Sequence, residues 1–258
     1  MSTCDVVVSI HQPNFMPWLK LLDKVMASDV FIAYDTVQYT RSEYHSRQRI
    51  KTVQGDATWL SVPLLSVRGS GPALIRDVRI DDSQPFRQRH LRSLRLAYGR
   101  TPFFAEVYPL VEEVYRRGQE FLVDLNLDLL AAFCRYLDSP VRIVRADALA
   151  HDGDNTDRIA QLVRSVAGTV HLTSTFGTDR TYISWDELLY AGISVRAQEF
   201  THPVYAQPFG GFIPHLSAVD TLFCCGRQTT QLLEAGRRLV DVGAAQHHDT
   251  AQPEARAS

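Results

Sequence analysis

Lysine is almost absent from this chain: three residues, Lys20, Lys24 and Lys51, stand against 24 arginines. A GC-rich genome produces that bias, so each arginine is weighed by its position and not by its number. The formal net charge is only -2, which excludes a general pull toward nucleic acid or anionic membrane and confines any cationic site to a local feature. Cysteine is scarce as well. Cys4, Cys134, Cys224 and Cys225 form no CxxC pair and no disulfide framework, so they read as reduced bystander thiols and not as nucleophiles or zinc ligands. No apolar run approaches the about 20 residues that cross a bilayer. Residues 1–8 lack the basic flank and apolar length of a secretory signal, so the sequence predicts a cytoplasmic protein without a membrane span. GxGxxG, Walker-type, HExxH and GxSxG motifs are all missing, which removes several common enzyme classes. No metal site is expected, and no cofactor is specified.

What is present suits a folded α/β protein. Of 258 residues 45% are hydrophobic and 22% charged, close to the globular average and sufficient for a sizeable core. Asp5 to Ile10 and Asp29 to Tyr34 are strand-length apolar runs, with a short amphipathic helix from Trp18 to Met26 between them; such a βαβ unit implies parallel pairing. Thr58 to Leu65 reads as a third strand broken at Pro63, Arg68 to Pro72 as a loop, and Leu74 to Ile80 as a short strand. Helical spacing then runs from Pro85 to Tyr98, from Phe103 to Arg117 and from Val123 to Leu137, the last capped by Asp124 or Asn126. Strands at Val141 to Val144, Val170 to Ser174 and Ser194 to Phe200 alternate with helices at Thr156 to Val166 and Trp185 to Tyr190, and a final helix spans Ser217 to Leu233. The pattern predicts a mainly parallel, Rossmann-like sheet flanked by helices, with a helical insertion. Residues 1–237 would form one domain and residues 238–258 a disordered tail.

In an open parallel sheet, ligands collect beyond the carboxyl ends of the strands. His11 and Asp35 follow the first two strands and would share one crevice, where His11 could serve as general base or as a loop anchor. Gln12, Gln38 and Tyr39 lie in the adjoining loops. Arg47, Arg49 and Lys51 alternate in a segment that could grip phosphate or could be a solvated strand face. Near the C-terminus, His202, Tyr205 and Gln207 precede a Gly210-Gly211 pair that would let backbone approach a ligand, unless this is an ordinary loop whose Ser217 caps the last helix.

These residues carry a resemblance. The chain resembles the WbqC-like family through Ile10-His11-Gln12-Pro13, Pro17-Trp18, Asp23-Lys24, Asp29-Val30-Phe31, Asp35 and Val37-Gln38-Tyr39. The match continues through Arg47, Arg49, Ile50-Lys51, Trp59-Leu60 and Val62-Pro63, and closes with His202-Pro203, Tyr205, Gln207, Phe212, Pro214, Ser217, Asp220, Leu222-Phe223 and Gly226. It departs from the family pattern at Ser46 and Gln48, where asparagine is frequent, and at Ser174-Thr175, where a Ser-Gly pair is frequent.

The resemblance implies a setting in surface-polysaccharide or natural-product biosynthesis, and through it an acyl or aminoacyl transfer from an activated or carrier-bound acid to an amine. The expected partners are a small-molecule substrate and an acyl or peptidyl carrier protein, with no nucleic acid. In that reading His11, Asp35 and His202 are the catalytic candidates; Gln12, Gln38, Tyr39 and Tyr205 would stabilise an oxyanion, and Arg47, Arg49 and Lys51, with Gln207 nearby, would hold substrate. Two alternatives stand beside it. A nucleotidylyltransferase or ligase would use the histidine on ATP phosphates, although the paired HxGH spacing of those enzymes is lacking. A non-catalytic module would bind a sugar nucleotide.

Overall fold

Residues 5–65, 73–174 and 183–242 are described by the computed structural model. Cys4, the loop expected from Arg68 to Pro72, Thr175 and residues 243–258 of the expected tail lie outside the described residues.

Strand β1 (Val7–His11) is flanked on one side by β2 (Val30–Ala33) and then β5 (Arg142–Arg145), and on the other by β6 (Val170–Ser174), β7 (Ser194–Phe200) and β8 (Arg237–Val242). All pairs are parallel except β7 with β8. Strand alternation sends Val8, Ile10, Val30 and Ile32 to one face and Phe31 and Ala33 to the other. Helices α5 (Asn155–Ser165) and α6 (Trp185–Tyr190) cover the first face; α1 (Leu19–Met26), the insertion α2 (Phe86–Tyr98), α3 (Phe104–Arg116) and α4 (Leu122–Tyr136), and the closing helices α7 (Ala218–Cys225) and α8 (Thr229–Gly236) cover the second. The mainly parallel sheet between helical layers is the architecture the alternating signals imply.

Five local expectations change. Arg47–Lys51 is a strand, β3, and pairs antiparallel with β4 (Ala57–Ser61) in a separate two-stranded sheet, so the third strand does not join the main one. Residues Leu74 to Ile80 form a 3-10 turn at Ile75–Asp77 between isolated bridges. Asp124 and Asn126 are not caps: α4 starts after Phe121, Asp124 pairs with Arg145 at 3.1 Å, and Asn126 is buried. The final helix breaks at Gly226, whose φ of +56° and contact with the Phe103 ring admit no side chain. The tail expected from Arg238 begins instead as β8. Charged Arg237, Arg238 and Asp241 hide the alternation of this edge strand, and Arg237 donates from Nε to the buried Asp23 at 2.9 Å, tying β8 to α1.

His90 shows how the insertion is held. Its Nε2–H donates to the Ser61 carbonyl (3.1 Å) and its Nδ1 accepts from the Tyr115 hydroxyl (3.0 Å), joining α2, α3 and β4 through a neutral ring. Burial pushes its pKa down from 6.5 to about 4. Both folded and unfolded chains are neutral there above pH 6.5; below it the unfolded chain takes a proton that the folded one refuses until about pH 4. Stability therefore falls through that window as pH drops, by about 2 kcal/mol between about pH 7 and pH 5 from this residue. Urea midpoints should show this loss in the wild type and a flatter pH dependence in His90→Phe; equal slopes would contradict it.

Candidate functional site

The order β5-β2-β1-β6-β7-β8 reverses direction at β1, since the chain leaves it toward β2 and later returns to its other side as β6. Such a switch point opens a crevice at the carboxyl ends of the two strands. A cavity of about 580 Å³ lies there. The end of β1 and the loop after it supply His11, Gln12, Asn14 and Trp18; the loop after β2 supplies Tyr34, Val37, Thr40, Glu43 and Tyr44; α5 supplies Asn155 and Ile159; β6 supplies His171. Among the described residues no lysine or arginine lines it, and Glu43 is its one lining carboxylate.

The loop from Gln12 to Pro17 is fixed from below. Asn126 donates to the carbonyls of Pro13 (3.1 Å) and His45 (2.9 Å), and the Phe15 N–H donates to Tyr44 (3.1 Å). Met16 sits at φ +42°, a left-handed conformation that costs a side-chain-bearing residue free energy, and the Ser217 hydroxyl donates to its carbonyl at 2.9 Å. The same hydroxyl accepts the Val219 N–H and caps α7, as the sequence suggested.

His11 is oriented by this loop. Its Nδ1 lies 2.8 Å from the Gln12 carbonyl oxygen, which can only accept, so Nδ1 carries the proton and Nε2 is the accepting position of the ring in its neutral form. The ring meets Trp18 edge-on at 6.0 Å.

The other expected site residues separate into three groups. Asp35 is fully buried and spent on structure: Oδ2 accepts from Arg145 Nε at 2.6 Å and Oδ1 from the Asp147 N–H at 3.0 Å, which locks the ends of β2 and β5 together. Arg47 and Arg49 lie outside the cavity against Trp59, while Gln38 bridges to Leu74 through backbone and the Tyr39 hydroxyl meets Ser46 at 3.1 Å.

Lys51, Tyr205 and Gln207 form the third group, a network built on Asp220. That carboxylate accepts from the hydroxyls of Tyr98 and Tyr205, both at 2.7 Å, and from Gln207 at 2.9 Å. Buried Lys51 donates to Gly211 O and Gln207 Oε1, and its own N–H reaches Tyr98. Burial raises the Asp220 carboxyl, opposed by these hydrogen bonds and by the Lys51 charge, and it raises both tyrosines. The Tyr205–Gln207 segment is irregular loop. His202 joins the same loop: Nδ1–H donates to Pro203 O (2.8 Å) and Nε2 accepts the His215 N–H (3.3 Å), so both nitrogens serve backbone, and burial lowers its pKa. His11 and Gln12 are thus the expected residues that line the cavity.

Asn14 lines the cavity with the His11-Gln12-Pro13-Asn14 loop expected to border the crevice, whereas Tyr34, Tyr44, Asn155 and His171 were missed by sequence reasoning. They come from three separate elements and have no shared motif. The cysteine reading fits the geometry, since burial pushes Cys134 up to about 12 and Cys225 up to about 11, leaving thiols at neutral pH. Among the described residues there is no cluster of potential metal ligands, and no helix is long and apolar enough to cross a membrane.

Comparison with known proteins was decisive for kinship. The WbqC-like protein family matches this chain over residues 12–232. The chain belongs to the WbqC-like family. An uncharacterized protein of Mycobacterium tuberculosis is 33% identical over 236 residues, covering 90% of this chain and 99% of the relative. No solved structure matches. Residues of the WbqC-like pattern occur in the cavity loop (His11, Gln12), in the Asp220 network (Lys51, Tyr205, Gln207), on the β3–β4 pair (Arg47, Arg49, Trp59) and in the buried ties of Asp23 and Asp35.

Two substitutions distinguish these roles. Asp220→Ala removes an acceptor from buried Tyr98 and half-buried Tyr205 and Gln207, together with the charge facing Lys51, and should cost roughly 3–5 kcal/mol of stability. Tyr205→Phe removes the hydroxyl that donates to Asp220 and accepts from Gln207 and should cost about 1–2 kcal/mol, measured by urea unfolding, with ligand affinity at the cavity unchanged. A Tyr205→Phe protein of wild-type stability that no longer binds ligand would move Tyr205 into the site.

Proposed function

We propose that this WbqC-like protein is an enzyme that transfers an acyl or aminoacyl group from an activated or carrier-bound acid to an amine seated in the switch-point cavity. The observation that carries this reading is His11: an imidazole held by Gln12 in the tautomer that accepts at Nε2, inside a cavity of aromatic and amide side chains. Trp18, Tyr34 and Tyr44 offer faces for a sugar-like acceptor, and Glu43 offers an acceptor for an N–H of its neutral amine. The amine nitrogen attacks the carbonyl carbon, forming C–N as the C–S bond of a thioester donor breaks. His11 Nε2 takes the amine proton and returns it to the departing thiolate, while the amides of Gln12, Asn14 and Asn155 supply donors to the tetrahedral oxyanion.

The nucleotidylyltransferase reading has less support within the cavity itself, since Arg47 and Arg49 lie outside it. A triphosphate needs cations around it, and none of the described lining residues is lysine or arginine.

The test uses acyl-pantetheine thioesters and a panel of primary amines that includes amino sugars, read by mass spectrometry of the acceptor. The expected result is an acyl mass gain without nucleotide consumption. His11→Ala should reduce turnover about a hundredfold or more while unfolding cooperatively. ATP-dependent pyrophosphate release with no acyl product, or wild-type turnover in His11→Ala, would overturn the proposal.

A further inference from the structure

Trp59 is 44% exposed in the middle of β4. Its register partner across the pair is Arg49, and the guanidinium carbons of Arg47 and Arg49 lie 4.7 and 5.9 Å from its ring centroid. Tyr44, also exposed, is 6.0 Å from the same indole and 5.3 Å from Trp18. A line of rings therefore leads from His11 in the cavity through Trp18 and Tyr44 to Trp59 and its two arginines. Among the described residues neither arginine has a carboxylate partner, whereas Arg79, Arg116 and Arg227 on other surfaces each do. A merely solvated strand face would account for the charges. It would not account for two guanidiniums gathered on one open indole that is continuous with a cavity.

We infer that Arg47, Arg49 and Trp59 form a second subsite, outside the cavity, for a nucleoside diphosphate group carried by the acceptor. Guanidinium forks match diphosphate oxygens, and the indole and phenol offer stacking surface to a base. The cavity, none of whose described lining residues is lysine or arginine, takes the neutral or amine-bearing part, and the strip takes the anionic, aromatic part. A phosphopantetheine arm has one phosphate and no ring to occupy the indole, so it fits the strip less well. The identity of the acceptor rests on the acyl-transfer reading; the existence of the subsite does not.

Calorimetric titration of the full chain with UDP, ADP, inorganic pyrophosphate and 4′-phosphopantetheine tests this. A nucleoside diphosphate should bind saturably at one site, more tightly than pyrophosphate or phosphopantetheine. Arg49→Ala and Trp59→Leu should each weaken it about tenfold or more, Arg49→Lys should fail to restore it, and thermal unfolding should show all three variants folded. His11→Ala should bind as wild type. The inference is overturned if neither nucleotide binds saturably, if these substitutions leave affinity unchanged, or if phosphopantetheine binds tightest. Intact nucleotide binding without acyl transfer would sink the proposed reaction alone, and acyl transfer without nucleotide binding would sink this subsite alone.

Discussion

Strand β1 pairs in parallel with β2 on one edge and β6 on the other, and the chain departs from it in opposite directions. Two crossovers that diverge cannot cover the same ground beyond the strand ends, so a crevice must open above β1. Every feature of the candidate site follows from that divergence. The loop after β1 drops His11 and Gln12 into the opening, the loop after β2 walls one side, and the start of α5 walls the other.

Holding such an opening requires rigid edges, and the buried polar groups supply them. Asp35 clamps β2 to β5 through Arg145 and Asp147; Asn126 and Ser217 grip the Pro13 and Met16 carbonyls; Asp220 gathers Tyr98, Tyr205 and Gln207 beside Lys51. Charges this deep contribute little net stability by themselves, yet removing one partner strands the others without solvation, which makes each cluster intolerant of piecemeal change. Loop 201–216, which has no regular structure, is tied down by these hydrogen bonds.

That arrangement explains what could and could not be read from the chain alone. Apolar runs such as Val30–Ala33 declare a strand covered on both faces, and His11 declares itself by standing where such a run ends. Polar residues in a recurring pattern are ambiguous, because a buried acceptor and a ligand-binding acceptor use the same side chains. Asp35, Lys51, Tyr205 and Gln207 looked like chemistry for that reason; in the structure their polar atoms bond to other parts of the chain. Conversely Tyr44, Asn155 and His171 reach the cavity only through tertiary placement. Strand β8 was invisible because an edge strand can carry charges on its open side, and its tie to Asp23 spans the length of the domain in sequence.

In this account the protein separates a reacting pocket from a recognition strip and backs both with one polar framework. The most direct measurement is a crystal structure of the protein with a nucleotide-linked amino sugar. The account predicts density for the sugar amine within hydrogen-bonding distance of His11 Nε2 and for the diphosphate over Arg47 and Arg49. Ordered ligand bound away from the β1–β6 crevice, with the cavity holding only solvent, would contradict it.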